Sequence, residues 1–294
     1  MTLNHEVPGR DPARRVEGGR RPSSALVKER ASSGELVTIV TVVFNGAQNL
    51  RKTIESVHAQ SYSNLEYIVI DGGSRDGSVE ILREMDEKIT YWISEADAGI
   101  YDAMNKGISL ANGGIIGILN SDDCYLPYAI EEAVDALRDP LVGYCYGWIR
   151  LVDRKNDIVG TAKPVPRSLF DSRFLRETPL PHPTMFVRSH VYRKFGHFDS
   201  RLRLAGDFEF IARIHKAGVQ GKEIPRVLVD FTLGGASQNS LILREVRTVA
   251  LREGLSPLLA WSDWLAARTL MMAKLWLPAA MTGWLRALKD LRHQ

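Results

Sequence analysis

Cysteine is scarce in this chain, and long apolar runs are missing. Only two of the 294 residues are cysteines, Cys124 and Cys145. Two cysteines do not make the disulfide framework of a small secreted protein, so they predict a reducing, cytoplasmic setting. The longest uncharged stretch near the C-terminus, residues 275–285, is too short to span a bilayer. Residues 1–34 contain no apolar core segment of the kind that a signal peptide needs.

The net charge is small, and the common nucleotide-binding motifs are missing. The formal net charge is only +3, so the composition does not indicate a nucleic-acid partner. Neither a G-x-G-x-x-G fingerprint nor a P-loop follows the first apolar run, residues 36–44. No serine or cysteine stands on a recognisable nucleophile elbow. These absences argue against dinucleotide-dependent enzymes, P-loop enzymes and serine hydrolases.

An alternation of strand and helix patterns dominates the first half of the chain. Apolar, β-branched runs predict strands, and apolar residues at helical spacing predict the helices between them. Four alternations favour an α/β fold with a mostly parallel central sheet flanked by helices. The predicted strands are 36–44, 65–70, 89–93 and 115–119, and the predicted helices are 47–60, 78–85, 100–110 and 128–137.

The second half follows another pattern. It predicts a hairpin of residues 142–152 and 158–163, a strand at 184–187, a helical turn at 191–195, a helix at 207–217 and a strand at 227–233.

These patterns suggest three regions of unequal size. Residues 1–34, rich in Arg, Gly, Pro and Ser, predict a disordered basic tail. Residues 35–240 predict one domain with two halves, at 35–140 and 141–240. Residues 241–294 predict a helical tail.

Acidic residues follow several of the predicted strands. Asp71, Glu95, Asp97, Asp122 and Asp123 are expected at one edge of the sheet, where open α/β sheets bind ligands. Clustered carboxylates repel each other unless a cation or ligand hydrogen bonds offset the charge. The adjacent pair Asp122 and Asp123 favours a divalent metal that also holds a diphosphate. The alternative is that the pair caps the following helix.

Four blocks of sequence carry a resemblance to a known family. They are Thr-Val-Val-Phe-Asn-Gly at 41–46, the Asp-Gly-Gly block at 70–78, the Asp-Ala-Gly-Ile-Tyr block at 97–107 and Leu-Asn-Ser-Asp-Asp at 119–123. In order and spacing they resemble family 2 glycosyltransferases, which are inverting, nucleotide-sugar-dependent enzymes with a GT-A fold. The resemblance spans roughly residues 36–235 and is strongest to bacterial exopolysaccharide, colanic-acid and O-antigen transferases. It implies that 35–140 is the nucleotide-sugar-binding half, or donor half, and that 141–240 is the acceptor half.

The resemblance implies roles for residues on the donor side. Asp71 matches the acid that hydrogen-bonds the nucleotide base, usually uracil, although Asp-Gly is also a common turn pair. Phe44 and Asn45 match the wall of the base pocket. Asn105 and Lys106 match residues beside the nucleotide and donor sugar, and a merely solvated Lys106 is the alternative reading.

Residues 120–122, Asn-Ser-Asp, occupy the family's D-x-D position. Asp122 is therefore the expected carboxylate ligand of Mg²⁺ or Mn²⁺, and the cation would neutralise the leaving diphosphate. Ser121, Asp123 and Asp97 are expected to bind the donor nearby. Asparagine in place of the first acid removes one negative charge from the metal site.

On the acceptor side, Asp207 matches the family's catalytic base. It is predicted at the start of a helix, where free backbone N–H groups and the helix dipole hold a carboxylate. Acidic residues are also common at helix starts for structural reasons alone. Glu209 is the second candidate base. His182 matches a histidine near the acceptor or metal, although a histidine between two prolines can be a plain loop residue.

Tryptophan is concentrated near the C-terminus. Four of the six tryptophans lie in residues 256–292, and the pattern from Met281 onwards is amphipathic with basic residues off the apolar face. Such a helix suits a membrane interface, which predicts peripheral attachment to the inner face of a bacterial membrane. The alternative is packing on the domain or against a second copy.

Together these features predict an inverting glycosyltransferase. We expect a nucleoside diphosphate sugar as donor, most favourably a UDP-sugar, and a glycan or polyprenyl-diphosphate-linked acceptor in bacterial surface polysaccharide synthesis. A sugar nucleotidyltransferase is one alternative, although it would need a glycine-rich, basic loop after the first strand. A non-catalytic nucleotide-sugar-binding protein is the other, and the presence of both Asp122 and Asp207 argues against it.

Overall fold

The fold was analysed in a computed structural model of the chain. The residues that it describes are 15–20, 34–153, 155, 157–165, 175, 180–234, 241–262, 264–265 and 269. Most of the predicted N-terminal tail and the amphipathic stretch from Met281 lie outside these residues.

Strands and helices alternate along the chain. The strands are β1 Val16–Gly18, β2 Val37–Val43, β3 Leu65–Asp71, β4 Tyr91–Ser94, β5 Ile115–Asn120, β6 Cys124–Tyr125, β7 Val142–Val152, β8 Ile158–Ala162, β9 Phe186–Arg188 and β10 Gln220–Thr232. The helices are α1 Ala47–His58, α2 Ser78–Glu84, α3 Ile100–Leu110, α4 Ala129–Ala136, α5 Ser189–Phe195, α6 Gly206–Lys216 and α7 Leu241–Arg252.

All ten strands belong to one sheet with the order β1-β4-β3-β2-β5-β9-β7-β10-β6, and β8 pairs with β7. The central strands β4, β3, β2 and β5 run parallel, as do β7 and β10. Strand β9 is antiparallel to both β5 and β7, so it joins the two parallel groups into one sheet. The prediction of an α/β fold with a mostly parallel central sheet is confirmed.

Strand β2 shows why the centre of the sheet is parallel and covered on both faces. All seven of its residues are buried. Ile39 lies in the same apolar cluster as Ile54 of α1, whereas Val40 lies in the cluster that contains Met104 of α3. A strand that is apolar on both faces is stable only between two layers of helices. The carboxyl ends of β2, β3 and β5 consequently meet at one edge of the sheet.

Two short strands were not predicted. Strand β1 lies within residues 1–34, and it pairs with the edge strand β4. The backbone N–H of Gly19 donates a hydrogen bond of 2.7 Å to Asp86, which also accepts one of 2.6 Å from the Trp92 indole. The prediction of disorder is therefore wrong for Val16–Gly18, because strand pairing compensates for a composition that offers little apolar surface. Strand β6 is the second, and its two residues pair with the long strand β10.

Helix α7 belongs to the domain. Val249 and Ala250 of α7 form a small apolar cluster with Ala205 and Phe208 at the start of α6. The predicted helical tail 241–294 therefore begins with a helix that packs on the domain, and this contact does not test the membrane expectation for residues 256–292. No helix in the described ranges has the length and hydropathy of a membrane span.

Candidate active site

A cavity of about 860 Å³ opens at the carboxyl edge of the central strands. Its walls come from the segment after β2, the start of α3, the turn after β5, the end of β10 and the starts of α6 and α7. Seven of the predicted site residues line it, namely Phe44, Asn45, Asp97, Ser121, Asp122, His182 and Asp207. The other five, Asp71, Asn105, Lys106, Asp123 and Glu209, lie behind or beside the lining.

The loop after β2 forms one wall of the cavity. Phe44 is 49% exposed, so its ring presents an apolar surface to the cavity. Asn45 adopts a left-handed backbone with φ of 52°, a conformation that asparagine tolerates better than most residues. The Asn45 side-chain oxygen accepts a hydrogen bond of 3.0 Å from the backbone N–H of Arg75. The backbone N–H of Asn45 donates to Ser74 Oγ at 2.7 Å. The two loops after β2 and β3 are thus tied together.

Asp71 lies beneath this wall and is 0% exposed. Its carboxylate accepts hydrogen bonds from the Ser94 hydroxyl at 2.6 Å and from the backbone N–H groups of Gly73 at 3.0 Å and Ser74 at 2.9 Å, and the Ser74 hydroxyl donates as well. Both oxygens are therefore used within the protein. The structure places Asp71 where it holds the loop that supports Asn45, and away from the cavity surface.

Asp97 lies in the segment between β4 and α3 and lines the cavity. It accepts a hydrogen bond of 2.9 Å from the backbone N–H of Gly99, at the start of α3. A side chain on Gly72 would meet this carboxylate, because an added Cβ would lie 2.3 Å from Asp97 Oδ2. The Asp-Gly-Gly block is thus explained in part by the close approach of Asp97.

Asn105 and Lys106 face away from the cavity. The Asn105 amide donates to the carbonyl oxygen of Phe198 and accepts from its N–H, both at 2.9 Å, so it fixes α3 to the loop before α6. Lys106 pairs with Glu95 at 2.5 Å. In this structure both side chains have structural partners, and neither reaches the predicted donor site.

The turn after β5 carries the Asn-Ser-Asp sequence. Thr232, at the end of β10, donates its hydroxyl to the Asp122 carbonyl at 2.6 Å and its N–H to Asp123 Oδ1 at 3.1 Å. Asp122 reaches the cavity, whereas Asp123 is only 1% exposed. Helix α4 begins later, with Tyr128 as its N-terminal cap residue, so the two acids do not cap it.

Burial dominates the electrostatics of this turn. It raises the pKa of Asp122, and it raises the pKa of Asp123 further, with the nearby charge of Asp122 adding to the effect. Among the described residues, neither Asn120 Oδ1 nor Asp123 Oδ2 has a hydrogen-bond partner, although both atoms are buried. An orphaned buried oxygen is costly unless another ligand satisfies it.

These oxygens fit a divalent cation that is shared with a substrate. Hard cations take oxygen ligands, and Mg²⁺ commonly uses one or two carboxylates together with substrate phosphates. Asp122 supplies such a carboxylate, and the Asn120 oxygen lies two residues before it. The described ranges hold no group of three or more His, Cys, Asp or Glu side chains that could bind a metal alone. Phosphate oxygens would therefore have to complete the coordination.

Asp207 lies opposite this turn, in the first turn of α6 as predicted. The Tyr101 hydroxyl donates a hydrogen bond of 3.0 Å to its Oδ1, and the backbone N–H of Phe208 donates another at 2.8 Å. Burial raises the pKa of Tyr101, and the Asp207 charge raises it further, so Tyr101 stays a proton donor. Gly206 allows this approach, because an added Cβ would lie 2.8 Å from the Tyr101 ring.

Glu209, the second candidate base, faces the other side of α6. It is 5% exposed and pairs with Arg213 at 2.9 Å and with Arg252 of α7 at 3.0 Å. Two guanidinium groups occupy its oxygens. The structure therefore gives Glu209 a packing role and leaves Asp207 as the acid at the cavity.

His182 begins a 3₁₀ turn and lines the same cavity as Asp122 and Asp207. Burial lowers its pKa, and the charge of Asp207 opposes this only in part, so the imidazole is neutral at pH 7. Its ring contacts Phe198 edge to face at 5.6 Å.

Sequence reasoning missed several residues of the site. Tyr101 belongs to the block at 97–107 that carries the family resemblance, but nothing in its spacing indicates that its hydroxyl reaches Asp207. Arg203 is exposed and is the only lysine or arginine in the described cavity lining. Ile242 and Val246 of α7 add an apolar wall. The apolar spacing of Ile242, Val246 and Val249 is the signal that could have identified α7 as a packed helix.

Comparison with known proteins assigns a family to this arrangement. The profile described as Glycosyl transferase family 2 matches residues 38–196. An uncharacterised glycosyltransferase of Mycobacterium tuberculosis is 37% identical over 187 residues, which are 62% of this chain and 70% of that protein. One from Rickettsia typhi is 33% identical over 184 residues, covering 59% of this chain and 57% of that protein.

Two solved structures share the fold. Residues 1–349 of S. aureus TarS in complex with UDP-GlcNAc give a TM-score of 0.59 at 15% identity, covering 87% of this chain and 80% of that one. The mannosyltransferase PcManGT from Pyrobaculum calidifontis, in complex with GDP-Man and Mn²⁺, gives 0.58 at 19% identity, covering 91% and 86%. At these identities the likeness concerns the fold alone.

Proposed function

The chain belongs to glycosyl transferase family 2 and has a GT-A fold, and from this premise we propose that it is an inverting, metal-dependent transferase. It would move one sugar from a nucleoside diphosphate donor to a glycan or a polyprenyl-diphosphate-linked glycan in bacterial surface polysaccharide synthesis.

The observation that carries this proposal is the pairing of two acids across one cavity. Asp122 stands on the turn after β5 and Asp207 on α6, and both line the same space. A transferase needs one group near the leaving diphosphate and another near the attacking hydroxyl. A protein that only bound the nucleotide sugar would have no use for a held carboxylate on the far wall.

In the proposed reaction Asp207 acts as the general base. It takes the proton from an acceptor hydroxyl while that oxygen attacks the anomeric carbon, on the face opposite the leaving diphosphate. One displacement of this kind inverts the anomeric configuration. The hydrogen bonds from Tyr101 and Phe208 engage one oxygen, Oδ1, so they orient the carboxylate and leave Oδ2 for the acceptor.

The donor would lie against the wall formed by Phe44 and Asn45. The aromatic ring offers a surface for a nucleobase, and Asp71 supports this wall through the loop that it holds. A divalent cation bound by Asp122 would neutralise the charge that develops on the leaving diphosphate. We expect UDP-sugars to bind best, because the Asp71 position resembles the uracil site of the family.

The acceptor side of the cavity is largely apolar. Its described lining includes Ile149, Phe231, Leu233, Ile242 and Val246. This wall suits an acceptor that carries a lipid or the apolar face of a sugar ring, and it supports a lipid-linked substrate.

Attachment to the inner face of the membrane is the last part of the proposal, and the segment 256–292 would provide it. Within the described residues, Leu258 is 83% and Trp261 55% exposed, and Arg247 stacks on Trp261 at 4.5 Å. Exposed apolar and aromatic side chains next to a basic group suit the interface of an anionic bilayer. Cosedimentation with phosphatidylglycerol vesicles should be lost in Leu258→Glu combined with Trp261→Glu. If the wild type itself does not cosediment, the membrane proposal fails.

The transferase itself is tested by nucleoside diphosphate release. Wild type and Asp122→Ala are compared on a panel of UDP-, GDP- and dTDP-sugars with Mn²⁺, and Asp135→Ala, which breaks only a surface pair with Arg138, serves as the control. We expect slow hydrolysis of one donor by wild type and control, and none by Asp122→Ala.

The outcomes separate the candidate functions. Donor-dependent thermal stabilisation without release would fit a missing lipid-linked acceptor and equally a protein that only binds the nucleotide sugar, and release after addition of a polyprenyl-diphosphate-linked acceptor would decide between them. Neither release nor stabilisation across the panel would refute the transferase proposal.

A further inference from the structure

A carboxylate from α7 binds the loop that leads into α6. Glu245 accepts hydrogen bonds from three consecutive backbone N–H groups: from Arg203 at 3.0 and 3.1 Å to its two oxygens, from Leu204 at 2.7 Å and from Ala205 at 3.0 Å. Successive N–H groups that converge on one anion form a nest, which is a strong local anion site. The loop is therefore shaped around a single side chain from a distant part of the chain.

The need for Glu245 follows from the start of α6. Ala205 is the cap residue of this helix, and it makes no side-chain capping hydrogen bond. A helix start leaves several backbone N–H groups without partners, and it carries partial positive charge. Glu245 accepts from the N–H of this cap residue and from the two N–H groups before it, so it places a negative charge beside the positive end of α6.

Helix α7 is held firmly enough to serve this purpose. Val249 and Ala250 pack against Ala205 and Phe208, one or two turns along from Glu245. At its C-terminal end Arg252 pairs with Glu209 of α6 at 3.0 Å. Two polar contacts, of Glu245 with the loop before α6 and of Arg252 with Glu209, thus lie on either side of the apolar contact between α7 and α6.

We propose that Glu245 is a positioning residue for the catalytic base. Glu245 binds the N–H of Ala205, two residues before Asp207. It also binds the N–H of Arg203, whose side chain lines the cavity. By fixing the backbone from 203 to 205, Glu245 sets where both side chains enter the cavity. This inference rests on the proposed function, and it lies outside the region that the family profile matches, which ends at residue 196.

The test compares Glu245→Gln and Glu245→Asp with the control Glu253→Gln. Glu253 pairs with the side chains of Lys216 and Arg252 at 3.4 Å, so its substitution removes charge beside α7 without touching the loop. Activity is nucleoside diphosphate release, with Mn²⁺, from the donor that the wild type hydrolyses. Hydrogen exchange of the amides at 203–205 reports on the nest directly.

For Glu245→Gln we expect kcat to fall about tenfold or more, the donor KM to stay within twofold, and exchange at 203–205 to accelerate. Glu245→Asp keeps the charge and should lie between Gln and wild type, and it carries the test if the Gln variant does not fold. The control should keep kcat within twofold. Faster exchange with unchanged kcat would overturn the positioning role, as would a loss that appears only in KM. A wild type with neither release nor donor-dependent stabilisation would refute the proposed function instead.

Discussion

The two halves of the domain reach the same cavity by different means. In the donor half, β2, β3 and β5 end at one edge of the sheet, so short motifs after each strand come together directly. On the acceptor side of the cavity, residues 141–240 depend on contacts with other parts of the chain: Tyr101 and Asp207 are separated by 106 positions, and Ala205 and Glu245 by 40.

The difference separates donor binding from catalysis in physical terms. The donor half is a rigid edge whose loops are tied to each other by buried side chains, so its shape depends on local turns. The acceptor side of the cavity depends on α6, on α3 from the donor half and on α7 from beyond residue 240, and these elements meet only after the chain has folded. Substitutions in the donor half should lower both the stability of the fold and the affinity for the donor. Substitutions on the acceptor side should slow the reaction while the donor still binds.

The largest effect is expected from Asp71→Ala in the donor half. The substitution leaves the buried hydroxyl of Ser94 and the N–H groups of Gly73 and Ser74 without their acceptor, and each such donor costs about 1–3 kcal/mol. Thermal denaturation should show Tm lower by roughly 6 °C or more, and Asp71→Asn, which keeps one acceptor oxygen, should lose less. An unchanged Tm with lost UDP-sugar binding would instead indicate direct contact with the base.

A smaller, purely kinetic effect is expected from Tyr101→Phe, where the two halves meet. The variant removes one hydrogen bond to the Asp207 carboxylate, which is worth about 1.5 kcal/mol, or roughly tenfold in rate. Because the ring and its packing remain, Tm and the donor Kd should stay close to wild type. Steady-state kinetics and calorimetry check this together. A fall in donor affinity without a fall in kcat would contradict the assignment of Tyr101 to the base.

The smallest effect is expected from Asp123→Asn, and it is a gain in stability. Burial and the Asp122 charge raise the pKa of Asp123, so its ionised form is the unfavourable one in the folded state. This cost is absent at low pH and grows as the pH rises through the raised pKa. The variant should therefore raise Tm by roughly 2–4 °C, which corresponds to about 1 kcal/mol, and by more at pH 8 than at pH 5. A lower Tm than wild type at pH 8 would contradict this account of the turn.

The donor half could be predicted from sequence in most of its structural detail. The predicted helix 100–110 coincides with α3, and β2, β3 and β5 agree with their predictions within one residue at either end. Periodicity and turn residues are local signals, and this half of the fold is built from them. The hydrogen-bond partners of Asp71 could not be predicted, because an acid at the end of a strand gives the same sequence pattern whether it binds a ligand or its own loop.

The acceptor half could be predicted only at single positions. Asp207 was found through the family resemblance and lies at the cavity, but Glu209, two residues on, turned out to face two arginines. The Tyr101 contact, the nest around Glu245 and the inclusion of α7 in the domain all depend on tertiary packing. No local pattern distinguishes a glutamate that binds a distant backbone from one that faces solvent.

The most direct test of this division is to measure donor affinity and turnover in the same variant, Asp207→Asn. General-base removal should lower kcat by about 10²–10⁴-fold, while the Kd for the nucleoside diphosphate sugar, measured by calorimetry with Mn²⁺, stays within twofold of wild type. Asp122→Ala in parallel should lose donor affinity. An Asp207→Asn protein that turns over at the wild-type rate, or that loses donor binding as fully as Asp122→Ala, would contradict the account.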